Sequence, residues 1–212
     1  MSKGDQDFDG ARVQLAAGIS ALGLSMSEDA QQQAMAFLAL LDKWSAAYNL
    51  TAITDLRKMV SHHLLDSLAV APWLSGERII DVGTGAGFPG VPLALFYPQK
   101  TFVLLDSNGK KTRFITQVKA SLSLKNITVV QSRVETYQTE HAFDAIIFRA
   151  VKGIPEMVRK TQHLCRHGGD FLAMTRAAPL QDFPAFTQEA IVLNVPGVEA
   201  ERHVVRIRRN KT

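Results

Sequence analysis

Residues 78–90 read RIIDVGTGAGFPG. Ile79 and Ile80 make a short apolar run that Asp81 closes, and Gly83, Gly85, Gly87 and Gly90 follow. An apolar run that meets a glycine-dense turn is the pattern of a buried parallel strand passing into a loop. Glycine there permits positive φ and lets a ligand reach the backbone with no Cβ in between. The next stretch, 91–96 (VPLALF), reads as the start of a helix, with Pro89 and Pro92 tolerated in its first turn. Strand, glycine turn and helix together predict a nucleotide-type ligand site at the carboxyl end of a sheet.

Downstream the same grammar repeats. Strands are expected at 101–105 (TFVLL), 127–131, 144–148 (DAIIF) and 170–174, with two more at 190–195 and 203–208. Helices are expected at 110–122 and 154–165, and Gly168-Gly169 marks a turn. Upstream the periodicity is helical. Residues 1–10 read as frayed, 11–22 as a helix stopped by Gly23, and Ser25 with Glu28 as a capping box. Behind that box Ala34, Phe37, Leu38, Leu41, Trp44 and Tyr48 line one face of a long helix, a stripe that reads as core packing. A third helix is expected at 55–71, ended by Pro72. The predicted class is α/β: a doubly wound, mainly parallel, seven-stranded sheet (75–212) carrying an N-terminal helical extension (1–74) packed on it.

Composition sets outer bounds. The 212 residues are 46% apolar and 21% charged, which suits an ordinary globular chain. No run of about 18 apolar residues exists, which speaks against a membrane span, and the polar start MSKGDQDFDG does not read as a secretory signal. Cys165 is the single cysteine, so no internal disulfide or thiolate pair can form, and a reducing, cytoplasmic setting is the natural reading. A net charge of +4 permits a nucleic-acid partner without demanding one. The charge is uneven: the first ten residues hold three Asp and one Lys, the last eleven hold five Lys or Arg and no acid.

Several ligand classes share glycine-rich loops. Gly83, Gly85 and Gly87 give G-x-G-x-G, while Gly85, Gly87 and Gly90 give the G-x-G-x-x-G of a dinucleotide site. No Gly-Lys-Ser/Thr follows, so Walker-type phosphate binding fails. Two features favour S-adenosylmethionine over NAD. Asp81 precedes the glycines, where a carboxylate attracts a cationic ligand end and repels a pyrophosphate. The loop also comes after some eighty residues of helix, whereas a dinucleotide domain often begins with its βαβ unit. Asp106, at the end of the second strand, suits ribose hydroxyls in either class.

An ordered set of short motifs runs from about residue 35 to 208: Tyr48-Asn49-Leu50-Thr51, His63-x-x-Asp66-Ser67, the 81–90 loop and Leu104-Leu105-Asp106-Ser107 with Lys110-Lys111 and Arg113-Phe114. Gln131-Ser132-Arg133-Val134-Glu135, Phe143-Asp144, Arg149-Ala150 and Glu201-Arg202-His203 complete it. In these the chain resembles the class I methyltransferases, and within them the bacterial small-subunit ribosomal RNA methyltransferase G family, also called glucose-inhibited division protein B. That resemblance implies S-adenosylmethionine as cofactor and methylation of guanine N7 in the 530 loop of 16S ribosomal RNA, at guanine 527 of the standard numbering. It implies cofactor contacts at Gly83, Phe88, Val134, Glu135 and Arg149, Phe88 matching by place more than by residue type. It implies the 16S RNA or small ribosomal subunit as partner, and a monomer with no obligate protein partner. One departure follows the fifth strand, where Thr175 and Arg176 stand in place of a Lys-Gly pair; Arg176 is then the candidate to hold RNA.

The residues themselves set limits on the chemistry. Guanine N7 already has an in-plane lone pair, so holding it in line with the methyl group suffices and no general base is required. The stretch 148–151 (FRAV) lacks the Asn/Asp-Pro-Pro-aromatic pattern of amine methylation. Arg149, at the end of the fourth strand, is the leading catalytic candidate: it can orient cofactor, phosphate or guanine O6, against the plain alternative of a structural salt bridge. Glu135 reads better as a positioning residue than as a base. His62, His63 and Asp66 do not close a metal site, because adjacent histidines on a helix diverge by about 100°; a structural His63–Asp66 pair, or one lining the cofactor pocket, fits better. Cys165, placed on a helix face, reads as packing. Lys110, Lys111, Arg113, Arg206 and Arg208 are RNA-contact candidates, against the alternative of solvated surface.

Three other readings stay open on these motifs. A nicotinamide dehydrogenase would bind NADH in place of S-adenosylhomocysteine. A non-catalytic RNA-binding module would show no methylation phenotype when Gly83 is changed. A methyltransferase with a protein or small-molecule acceptor would share the cofactor site entirely.

Overall fold

The computed structural model describes residues 3–150, 153–177 and 183–210. Seven strands form one sheet: β1 (Arg78–Val82), β2 (Thr101–Asp106), β3 (Ile127–Gln131), β4 (Phe143–Arg149), β5 (Cys165–Thr175), β6 (Phe186–Val192) and β7 (His203–Arg209). Their order is β3-β2-β1-β4-β5-β7-β6. The first five are parallel, while β7 lies antiparallel between β5 and β6. The order reverses direction between β1 and β4, so the crevice for a ligand opens there, above Val82 and Arg149.

Alternation along the strands divides the core in two. Ile79, Phe102, Leu104, Ile147 and Leu172 face one side and join the N-terminal helices and the helices Gly90–Phe96 and Gly109–Ser121 in a single cluster. Ile80, Val82, Leu105, Ile146 and Phe148 face the other side, against the helix Ile154–Thr161. The helical extension therefore shares its core with the sheet. Phe37 is fully buried and packs on Phe88 and Phe114.

Several local expectations change. Helix α1 (Lys3–Ala21) begins within the stretch read as frayed, and Phe8 packs on the core. Helix α2 (Glu28–Tyr48) is capped by Ser27, whose hydroxyl accepts from the Ala30 N–H, and not by Ser25. The third helical stretch is not uniform: Leu56–Met59 is α-helical, Val60–Leu65 is a π turn, and Asp66–Leu68 returns to α. Pro72 falls in a separate 3₁₀ turn, Ala71–Trp73. The helix Ile154–Thr161 stops short of Cys165, which instead opens β5, and a 3₁₀ turn fills the gap. Gly168 and Gly169 lie inside that strand, where β5 shifts register against β4. The sixth strand starts four residues and ends three residues earlier than the 190–195 expected.

Candidate functional site

The glycine loop is built on a buried carboxylate. Asp81 is fully buried, and its Oδ2 accepts from Thr84 Oγ1 at 2.6 Å and from the Gly90 N–H at 2.8 Å. One side chain thus ties the start of the loop to the first turn of the following helix. Gly90 is required there, because a Cβ would meet Leu104 and Asp81 at under 3 Å. Burial pushes the Asp81 carboxyl from its usual 3.8 up to about 6, although hydrogen bonds from Thr84 and Gly90 act against it. Asp81 Oδ1 is buried with no partner among the described residues. Thr84, missed in the sequence, is what fixes this carboxylate.

Asp106 holds the loop from the other side. Its Oδ2 accepts from the Gly85 N–H at 2.9 Å and its Oδ1 from the Asn108 N–H at 2.8 Å, while Lys111 stands 3.8 Å away. Gly85 has φ +63, a left-handed conformation in which a side chain is strained, and its added Cβ would meet only open space and the Gly83 carbonyl at 4.0 Å. Gly83 (φ +70) has nothing within 4 Å of its added Cβ. The loop is therefore a concave cradle lined by backbone.

Phe88 forms the floor beside it. The buried ring stacks on His63 at 4.5 Å and 19°, and the Arg149 guanidinium lies over it at 5.6 Å. His63 Nε2 pairs with Thr51 Oγ1 at 2.8 Å, so the expected direct His63–Asp66 pair is absent among the described contacts. Burial first, and the Arg149 charge second, pull the His63 imidazole from 6.5 down to about 4. At neutral pH it is an uncharged ring.

Asp66 goes to the arginines. Its Oδ2 lies 3.0 Å from Arg149 Nη1 and its Oδ1 lies 2.8 Å from Arg202 Nε. So Arg149 does make the ion pair considered as its plain alternative, but it makes it inside a cavity. That cavity, about 470 Å³, is walled by His62, His63, Asp66, Arg149, Arg176 and Arg202, with Ile53, Met174 and Leu193 as apolar lining. A second, smaller hollow of about 210 Å³ lies over the cradle, lined by Gly83, Gly85, Phe88, Thr51 and Lys111. His63, Arg149 and Ala150 line both. Ala150 has φ +58, a strained conformation for a residue with a Cβ, at the seam between the two hollows.

Other expected site residues lie apart from this seam. Val134 is buried in the second core cluster, and Glu135 is exposed and paired with Lys160 at 3.3 Å. Gly87 (φ +95) packs against Val91 and Phe37 beneath the loop. Lys110 and Arg113 are exposed on the helix Gly109–Ser121, whereas Lys111 lines the smaller hollow. Arg206 and Arg208 both engage carboxylates within the chain. Arg206 pairs with Glu189 at 2.6 Å and lies over Trp73, and Arg208 grips the buried Asp170. The antiparallel run of β7 carries Arg208 to the end of the sheet opposite the cradle, opposite Asp170. Arg202 is not singled out by the sequence as a site residue, although it stands in a motif the sequence displays, and Asp66 lines the larger cavity with it. Burial pushes the Cys165 thiol up to about 12, which fits packing and not reactivity.

Comparison with known proteins adds to this geometry. The model of the family rRNA small subunit methyltransferase G matches residues 30–205. Ribosomal RNA small subunit methyltransferase G of Coxiella burnetii is 49% identical over 196 residues, covering 92% of this chain and 96% of the relative. Its namesake from Pseudomonas aeruginosa is 46% identical over 202 residues, covering 92% and 94%. Among solved structures, a putative O-methyltransferase from Klebsiella pneumoniae superimposes with a TM-score of 0.59 at 13% identity, over 91% of this chain and 94% of that one. Precorrin-6y C5,15-methyltransferase from Geobacter metallireducens gives 0.54 at 14% identity, over 77% and 92%. These two speak for the fold alone. The matched segment spans the cradle, the Asp66 cluster and both hollows, and by that match the chain belongs to the rRNA small subunit methyltransferase G family.

Proposed function

We propose that this chain methylates N7 of a guanine in the 530 loop of 16S ribosomal RNA, with S-adenosylmethionine as methyl donor. The observation that carries this reading is the seam: the cradle hollow and the larger cavity meet at His63, Arg149 and Ala150. A donor bound on one side and a base on the other would meet at this seam.

The cradle suits that donor. Gly83 and Gly85 leave open space where side chains would stand, and beside them Asp81 keeps a buried oxygen with no partner among the described residues. Asp81, Gly83, Gly85, Gly87, Phe88 and Asp106 would hold the cofactor, together with Val134 and Glu135. When bound, S-adenosylmethionine supplies an electrophilic methyl group. The chain's own part is then orientation. Arg149, fixed by Asp66, stands between the hollows and supplies directed N–H donors, and His63 is a neutral ring that neither gives nor takes a proton near pH 7. No base is needed, because N7 presents a free lone pair. Around the larger cavity, Arg176 offers charge for RNA phosphates.

Methyl transfer from labelled S-adenosylmethionine to small subunits from a strain lacking this gene tests the reading, with large subunits and transfer RNA as controls. Label recovered as 7-methylguanosine from 16S RNA alone supports it. Cofactor binding without transfer to small subunits would sink the acceptor assignment and leave the fold in place.

A further inference from the structure

The larger cavity has an arginine that the cradle does not share. Arg202 lines only that cavity, whereas Arg149 lines both hollows. Arg202 is fixed on three sides: Nε donates to Asp66 Oδ1 at 2.8 Å, and Nη1 donates to the carbonyls of Glu201 at 3.1 Å and Ala200 at 3.4 Å. Its Nη2 makes no hydrogen bond among the described residues. Only 14% of the side chain is exposed, so the guanidinium is held in place in the cavity wall. Asp66 is shared with Arg149, so two guanidinium groups face one carboxylate and this cluster keeps one net positive charge. His203, next in the chain, lines the same cavity, and its buried Nδ1 has no partner among the described residues.

We infer that Arg202 is the specificity-determining residue for the acceptor base, donating from Nη2 to guanine O6. The inference rests on the guanine-N7 reading above. On the Hoogsteen edge guanine offers N7 and O6 as neighbouring acceptors, and with N7 directed at the methyl group only O6 is left for a fixed donor. Adenine carries an amino group at that place, so donor would face donor, with the arginine left unpaired in a shielded wall. Ile53, Met174 and Leu193 give the cavity the apolar sides that suit a flat base, and a phosphate would gain nothing from them.

The test compares reconstituted small subunits whose 16S RNA carries either guanine or 2-aminopurine at the target. 2-Aminopurine keeps N7 and loses O6. Wild-type protein is expected to show kcat/KM lower on 2-aminopurine by on the order of ten- to a hundredfold. Arg202→Ala should be slower on guanine by a similar factor and should no longer distinguish the two bases. S-adenosylhomocysteine affinity, unchanged in the variant, reports that the cradle is folded. If Arg202→Ala fails that control, Arg202→Met, which keeps the length of the side chain and carries no donor, is read in the same way. Equal wild-type rates on both bases would overturn the inference, as would a variant that still discriminates by the wild-type factor. Wild-type protein that forms no 7-methylguanosine on the guanine subunits would instead overturn the reading on which it rests.

Discussion

Asp66 Oδ2 lies 3.0 Å from Arg149 Nη1, an ion pair that spans 83 positions of sequence and joins the N-terminal helices to the end of β4. The carboxylate is buried and both of its oxygens are committed. Removing its charge leaves two guanidinium groups in a shielded wall with no counter-ion. Asp66→Asn is therefore expected to lower unfolding free energy by about 2–4 kcal/mol, since breaking a buried pair is costly and Arg149 keeps partial contact with solvent. Urea denaturation measures this; a change below about 0.5 kcal/mol, the range of an ordinary surface substitution, would mean the cluster does not hold the structure.

Arg149→Ala leaves Asp66 with Arg202, so the fold should survive. Methyl transfer should not, because the guanidinium between the two hollows is gone. A loss of about a hundredfold or more in kcat, with a native circular dichroism spectrum, is the expected result. Near-normal turnover by the folded variant would remove Arg149 from the site.

Gly83→Asp puts a side chain into the open space above the cradle, on a backbone at φ +70. The conformational cost is about 1–2 kcal/mol. Calorimetric titration with S-adenosylhomocysteine should show binding lost, and unchanged affinity would place the cofactor elsewhere.

Two buried groups give the protein opposed pH dependences. His63 has its folded pKa lowered to about 4, against 6.5 unfolded. The unfolded chain binds the proton more readily, so stability from this group is full above 6.5 and is lost as pH falls through about 4. Asp81 has its folded pKa raised to about 6, so its contribution is full below 3.8 and lost as pH rises through 6. His63→Phe keeps a ring over Phe88 and removes the first dependence alone. Thermal unfolding between pH 4 and 7 should fall less steeply on the acid side for this variant, and parallel curves would show that His63 does not titrate in that window.

Arg208 is expected to act on stability. It donates to the buried Asp170, which also accepts from Ser75 at 2.6 Å. Arg208→Gln should cost about 1–3 kcal/mol and leave kcat/KM for small subunits within about twofold. A large loss of RNA methylation by the folded variant would return this arginine to the RNA surface.

How much of this was legible in the sequence follows from what each feature depends on. The parallel strands and the cradle depend on local runs and glycine spacing, and both could be read directly from residues 78–90. The ending of the helix at Thr161 and the entry of Cys165 into β5 depend on pairing with Phe143, a contact no local pattern encodes. The Asp66 cluster draws one residue from each of three distant motifs, so spacing could flag the residues and not their partnership. Arg206 and Arg208 look like an RNA-binding tail in sequence; the antiparallel direction of β7 instead sets Arg206 opposite Leu172 in mid-strand and Arg208 opposite Asp170, away from the cradle.

The π turn at Val60–Leu65 carries a consequence of phase. In an α-helix each residue advances the side-chain direction by about 100°, so a locally wider turn resets the bearing of everything after it. His63 lies within the turn and stacks on Phe88, while Asp66 begins the α-helical stretch beyond it and faces the arginines. Deleting one residue here would swing Asp66 away from Arg149 and Arg202 even if every side chain of the cluster were kept. The bearing of one carboxylate, and with it the alignment of both arginines, depends on the winding of six residues.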